Sequence, residues 1–447
     1  MVTLKERNIY IKLIIIILIL HFIFPLFLTI HPTPYKHEKL KLSNGIDQWI
    51  STWGGNSYET SLGIATDTSD NIYLTGFTYS FGEGNQDMFL IKYNSSGVIL
   101  WNITWGGIAS DAGHGIVVDS KDNIYVTGQT GSFGAGSVDM FLAKYNSSGN
   151  QLWNKTWGDA ESQRGRGIAV DLSDDIYVTG SGGDGVIIVK YSGSGEQVWN
   201  RTWGQGYEGH EIVVDSFGDI YISGFTFSSN STGIFLVKYT PEGAYLWNNT
   251  REQHLFGNFY GNGMAIDSLN NLYIACNIRS ATSDDINFDL MLIKYDFYGD
   301  YQWHNTFNGD LMDYGTDVAI DSSDNIYLLG ISANFANFNR DIYLVKHKPT
   351  GEMEWYLKWN KGDHDDGYAI TIDSEDNIYL TGSTGGLGEP NGDVMLVKNP
   401  TPQNVENSIP FGNMFFFITV ISFFCLLLKI LIKAKQKLRS IKKVIEF

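Results

Sequence analysis

GIVVDSKDNIYVTG, residues 115–128, decides the fold. An apolar, β-branched run ends at Asp119, a polar DSKDN turn follows, and a second run NIYVTG closes on Gly128. Two short apolar runs joined by a hairpin-length polar turn read as paired antiparallel strands rather than a helix. The pattern recurs. Aligned on Asp and Tyr, it appears as Asp67/Tyr73, Asp119/Tyr125, Asp171/Tyr177, Asp215/Tyr221, Asp267/Tyr273, Asp321/Tyr327 and Asp373/Tyr379, with Asp spacings of 52, 52, 44, 52, 54 and 52. A glycine stands three residues after Tyr in six copies, and Cys276 replaces it in the fifth.

Each repeat contains four apolar runs, named A to D. In the second they are GIVVD (115–119), NIYVTG (123–128), MFLAKY (140–145) and QLWNKTW (151–157). A period near 50 residues with four strands is that of a propeller blade. The last repeat lacks a D run, because DVMLVK (393–398) leads into NPTPQ, whereas an extra one, IDQWISTWGG (46–55), precedes the first A run. The N-terminal strand is therefore expected to complete the last blade and remove free edges, giving an all-β, seven-bladed β-propeller of four-stranded blades.

The motifs W-G-G, [AG]-I-x-x-D-x-x-x-N-I-Y-x-T-G and D-x-[FM]-L-x-K-Y-x-x-x-G resemble the SBBP (seven-bladed β-propeller) repeat family over about residues 45–399. The family's D-x-x-G-N turn reads D-x-x-D-N or similar here, with Gly218 the exception. With a C-terminal anchor, such repeats look like membrane-anchored prokaryotic, archaeal-like surface proteins.

Of 31 Lys+Arg, 3 precede residue 13 and 7 follow residue 428, and those ends hold 2 of the 49 Asp+Glu. The middle thus has 21 basic and 47 acidic residues, about −26 net, which argues against a nucleic-acid partner. Cys276 and Cys425 lie in different regions, so no disulfide within the repeats is expected.

Residues 13–30 follow Lys5, Arg7 and Lys12 and lack a small-residue cleavage site, as in a signal anchor. Residues 414–432 are apolar apart from Lys429 and precede a basic tail. The positive-inside rule then places both termini in the cytoplasm, if the first segment is uncleaved, and the propeller outside a cell membrane. The expected organisation is 1–30 signal peptide or anchor, 31–44 linker, 45–399 propeller, 400–411 linker, 412–433 transmembrane helix and 434–447 basic cytoplasmic tail.

Residue types common to every repeat are read first as structural: turn aspartates, the lysines ending the C runs, and the tryptophans of the D runs, expected to cover the neighbouring blade near the rim. Function is sought where the repeats differ. By analogy with propellers, the residues just before strand A ring the channel mouth: Leu62, His114, Arg166, His210, Asn262, Thr316 and Tyr368. The long fifth-repeat loop offers His254, Phe256, Phe259 and Tyr260 to a protein or glycan partner, with packing of the loop on itself the equal alternative. The run GDHDDG supplies Asp363, Asp365 and Asp366, oxygen ligands of the kind Ca2+ takes, without EF-hand spacing; a solvated acidic loop is the competing reading. No other cofactor is implied.

N-x-[ST] sequons mark Asn94, Asn102, Asn146, Asn154, Asn200, Asn230 and Asn248 as glycan acceptors in an exported chain. The G-x-S-x-G, H-E-x-x-H and P-loop signatures are missing, so the expectation is a non-enzymatic binding module for a protein, glycan or envelope component. A structural surface-layer or adhesion element is the alternative, and an extracytoplasmic propeller enzyme the third.

Overall fold

The computed structural model describes residues 35–40, 48–227, 232–251, 255–256, 263–279, 288–308, 312–334, 339–359, 364–385 and 392–400. Both hydrophobic terminal segments lie outside them. Among the described residues there are strands and turns, and no helix is long and apolar enough to cross a membrane.

The architecture is all-β and propeller-like, built of four-stranded antiparallel blades. The first repeat sets the pattern, with strands Glu59–Thr66, Ile72–Thr78, Asp87–Tyr93 and Ile99–Trp105 adjacent in that order. The B–C and C–D strands pair in near-continuous register, Thr75↔Leu90 and Leu90↔Ile103. Strand C is buried along its whole length. Strand D alternates between half-buried and exposed residues, because one of its faces meets solvent at the rim. The apolar runs suggest strands covered on both faces; that holds for strand C, not for D.

Gln48–Trp53 pairs antiparallel with Asp393–Lys398, joining the chain start to the seventh repeat. The expected linker 31–44 contains a further strand, Tyr35–Leu40, paired along the outer edge of Gln48–Trp53. That extra strand occupies the hydrogen-bonding edge that an outermost strand leaves open. Gln48–Trp53 is accordingly buried throughout, unlike the other D strands.

The residue types shared by the repeats form a repeated brace. Asp67 accepts hydrogen bonds from the Ser69 and Asn71 amides, each 2.9 Å, and from the Tyr73 hydroxyl, 2.9 Å. Lys92 Nζ lies 3.2 Å from Asp67 Oδ2 and 4.9 Å from the centre of the Tyr73 ring, which itself faces Trp101 at 6.1 Å. A buried carboxylate with this many donors is satisfied by the fold and needs no ligand.

The residue three after each turn Asp has positive φ, 57° at Asp70, 59° at Asp122, 62° at Asp174, 61° at Asn270, 61° at Asp324 and 62° at Asp376. Gly218, with φ 87°, is the glycine of that set. An Asp or Asn side chain is used there because it reaches the preceding repeat. Ser120 N and Oγ donate to Asp174 at 3.1 and 3.0 Å, Ser322 N and Oγ to Asp376 at 2.9 and 2.6 Å, and Ser374 N and Oγ to Asp70 at 3.2 and 3.1 Å. Thr68 and Ser268 donate likewise to Asp122 and Asp324. Between the third and fourth repeats the pair is replaced by exposed Leu172 and Gly218, which lack these side-chain groups.

The tryptophans seal the seams. Trp101 stacks over Gly149, where a Cβ would lie 3.1 Å from the indole, and donates from Nε1 to Ser147 O at 3.3 Å. Trp105 packs 5.1 Å from Phe133 and 4.6 Å from Phe141 of the next repeat. The glycine after it is needed too. A Cβ on Gly106 would meet Asp87 Oδ1 at 2.3 Å and Asp111 Oδ2 at 2.7 Å.

Candidate functional site

The A strands carry the site. Each described A strand of repeats 1, 2, 4, 6 and 7 has a register shift, between Ser61/Gly63, Gly113/Gly115, Gly209/Glu211, Gly315/Asp317 and Gly367/Ala369. The residues stepped over are Leu62, His114, His210, Thr316 and Tyr368; in the third repeat the step from Gly165 to Ile168 passes Arg166. A bulge re-aims the side chain it carries and bends the strand. All six line one central cavity of about 220 Å3. The structure therefore brings together the described members of the ring expected from sequence, while Asn262 lies outside the described residues.

Glu211 and Asp317 line the same cavity, and the sequence reading passed over both. They occupy the position after the ring residue, which is Gly63, Gly115, Gly167, Gly263 and Ala369 in the other repeats. At the glycines, the neighbouring A strand passes close: a Cβ on Gly63 would sit 2.6 Å from His114 O, and one on Gly115 2.6 Å from Arg166 O. The signal in the sequence was two acids interrupting a run of glycine and alanine at one repeat position.

The electrostatics are divided. Burial pushes the Glu211 carboxyl up to about 8, with Asp317 contributing, although the Ile212 amide donates to it at 3.1 Å. Burial raises Asp317 to about 7 against the Val318 and Ile370 amides, each donating at 2.8 Å. On the other arc, burial and then Arg166, Arg164 and His210 hold His114 well below its usual value, leaving it neutral at pH 7. His210 is also lowered by burial, opposed by Glu208, whose Oε2 lies 3.7 Å from Nε2.

The other expected site residues fall elsewhere. Asp365 accepts from Thr384 Oγ1 at 2.6 Å, and Asp366 pairs with Arg340 at 3.1 Å; Asp363 lies outside the described residues. Among the described residues no group of three or more His, Cys, Asp or Glu could hold a metal ion. Phe256 sits in the two-residue strand Leu255–Phe256, paired with Asn277, while His254, Phe259 and Tyr260 lie outside the described residues. Asn102, Asn154, Asn200 and Asn248 are exposed on D strands. Asn94 and Asn146 cap turns, accepting from the Ser96 and Ser148 amides at 3.1 Å each; Asn230 is outside the described residues.

A 136-residue stretch is 24% identical to an uncharacterized WD repeat-containing protein of Acanthamoeba polyphaga mimivirus, covering 25% of this chain and 10% of that protein. Solved structures with similarity include the polysaccharide lyase Uly1 (9% identity, TM-score 0.48, covering 78% of this chain and 91% of that one). Another is a gluconolactonase from Xanthomonas campestris (10%, 0.39, 83% and 96%). A third is YCF48 in complex with a D1 peptide (11%, 0.48, 83% and 97%). Two stretches of this chain, residues 106–134 and 360–389, match the SBBP family model, described as a beta-propeller repeat.

Proposed function

We propose that the chain is a seven-bladed propeller closed by its N-terminal strand, and that it is a binding module whose ligand enters the central cavity at the bulged ring. One observation carries the reading. His114 Nε2, His210 Nδ1 and Thr316 Oγ1 are each shielded from water and have no hydrogen-bond partner within the protein, yet all three residues line the same cavity. Buried polar atoms left unpaired cost roughly 1–3 kcal/mol each, and three of them on residues of one cavity support recognition there. The hydrophobic segments 13–30 and 414–432 and the basic tail support a membrane-tethered, outward-facing module for a protein, glycan or envelope component.

The test is a binding screen of the full-length chain, purified in detergent, against glycans and envelope extracts. It is repeated with the H114A/H210A/T316V triple variant. Binding lost in the variant, with its melting temperature kept, supports the cavity as the site. Binding that survives the triple substitution overturns it. Orientation is tested separately by labelling the C-terminal lysines in intact cells; labelling by a membrane-impermeant reagent contradicts the proposed topology.

A further inference from the structure

The third repeat departs from the others at its B–C turn. Its B and C strands, Ile176–Gly182 and Gly185–Tyr191, are joined by residues 183–184 alone, where the second repeat uses 131–138. Beside this short turn, between the third and fourth repeats, lies a notch of about 320 Å3. Ser162, Ser181 and Tyr207 line it, together with Gly182, Gly183 and Gly206.

The notch and the central cavity share the same two strands. In strand A of the third repeat, Arg164 lines the notch and Arg166 the cavity; in strand A of the fourth, Glu208 lines the notch and His210 the cavity. Two residues of strand span roughly 7 Å. Glu208 Oε2 lies 3.7 Å from His210 Nε2, so the two spaces adjoin along this contact.

Neither space presents an unbalanced charge. The His210 contact, then Arg166 and Arg164, hold the Glu208 carboxyl below its usual value against burial, and Arg166 is engaged within the protein. Glu211 and Asp317, raised to about 8 and about 7, keep much of their proton at pH 7, and His114 is neutral. Protonated carboxyls, neutral imidazoles and serine or threonine hydroxyls each both donate and accept hydrogen bonds. Such a lining matches alcohol groups, which have the same double capacity. Three of these positions are open: His114 Nε2, His210 Nδ1 and Thr316 Oγ1 have no protein partner, and His210 and Thr316 are only 4% and 2% exposed. In the notch, the half-buried Tyr207 ring is fixed by Trp203 at 5.2 Å and Phe235 at 5.7 Å. The C–H face of a sugar ring packs on such a surface while its hydroxyls meet the serines.

We propose that a neutral, hydroxyl-rich glycan spans the two spaces, one sugar unit in the central cavity and the next in the notch of repeats three and four. The proposal rests on the central cavity being the ligand site. At about 220 Å3 that cavity alone falls short of the roughly 300–1,000 Å3 of pockets for drug-sized ligands, and the notch supplies the remaining length.

The experiment is calorimetric titration of the full-length chain in a detergent without a sugar headgroup. The probes are maltose and cellobiose with glucose, lactose with galactose, and chitobiose with N-acetylglucosamine. Galacturonate and glucosamine serve as charged sugars, and acetyl-Ser-Gly-Ser-amide as a neutral peptide. At least one disaccharide binds about tenfold or more tightly than its monosaccharide. S162W, which fills the notch from an exposed position, removes that gain, and T316V, which deletes one open cavity group, weakens the disaccharide about three- to tenfold. Melting curves confirm that each variant is folded. If no disaccharide exceeds its monosaccharide, or S162W leaves the gain intact, the spanning proposal falls; monosaccharide binding weakened by T316V then keeps the cavity reading standing. If a charged sugar or the peptide binds as tightly as the best disaccharide, the neutral-glycan assignment falls while the cavity reading stands. If no sugar binds, the proposal falls, and the cavity reading is decided by the envelope screen with the triple variant.

Discussion

The belt of Ser–Asp pairs between repeats makes a quantitative test at the seam that closes the chain on itself. Ser374 of the seventh repeat donates to Asp70 of the first from its amide at 3.2 Å and its hydroxyl at 3.1 Å, across 304 residues of sequence. Asp70 pays for this contact in backbone geometry, with φ at 57°. A left-handed conformation costs a side-chain-bearing residue about 1–2 kcal/mol relative to glycine. Two partly exposed hydrogen bonds contribute about 1–2 kcal/mol together. D70A loses the bonds and keeps the strain, so it should destabilise the fold by about 1–2 kcal/mol. D70G loses the bonds but relieves the strain, so its stability should lie within about 1 kcal/mol of the parent. D70N retains an acceptor and the tolerance for this conformation, and should fall nearest to the parent. The assay is urea unfolding followed by tryptophan fluorescence, with S374A and the S374A/D70A double variant completing a cycle. A coupling of about 0.5–1 kcal/mol is expected between the two positions. D70A as stable as the parent, or the two substitutions strictly additive, refutes the argument.

Further expectations follow from the same geometry. Gly106→Ala places a methyl against the buried Asp87 and Asp111 carboxylates and should cost about 1–3 kcal/mol, read as a lowered urea midpoint. Y73F removes the hydroxyl donor to Asp67, leaving one fewer partner for a buried carboxylate, and should cost about 1–2 kcal/mol. Installing the missing belt pair as L172S/G218D should yield a more favourable double variant than the sum of the singles, again by a denaturant cycle. The folded state holds Glu211 and Asp317 protonated to about 8 and about 7, whereas the unfolded chain releases those protons near pH 4. Their contribution to stability is therefore complete below about pH 4 and is lost as pH rises through 7 to 8. E211Q should make the decline in melting temperature between pH 5 and 8.5 shallower; an unchanged slope contradicts the raised Glu211 value.

Repetition made most of the blade architecture legible. Every strand type recurs at nearly fixed spacing, so a local pattern such as GIVVDSKDNIYVTG could be read in several copies, and the unpaired D run at residues 46–55 pointed to where the chain start would pair. The turn aspartates, lysines and tryptophans were legible as scaffold for the same reason, since a need shared by every repeat is a need of the blade. The strand at Tyr35–Leu40 was not legible, because YKHEKL has no strong apolar alternation and gains its place from the open edge of Gln48–Trp53. The candidate site was half legible. Its ring of variable residues stood out once the repeats were aligned, but Glu211 and Asp317 did not.

The reason is the bulge. In a regular strand successive side chains point to opposite faces, so a residue following His210 or Thr316 reads as turned away from the cavity. The register shifts at Gly209/Glu211 and Gly315/Asp317 break that alternation, and consecutive residues line one cavity. Sequence alone determined the repeating strands, their order and the scaffold role of the shared residues, because those depend on local alternation and turn chemistry. Only the tertiary structure decided which polar groups from distant repeats share the cavity, because that depends on where each strand departs from regular pleating as its neighbour packs against it.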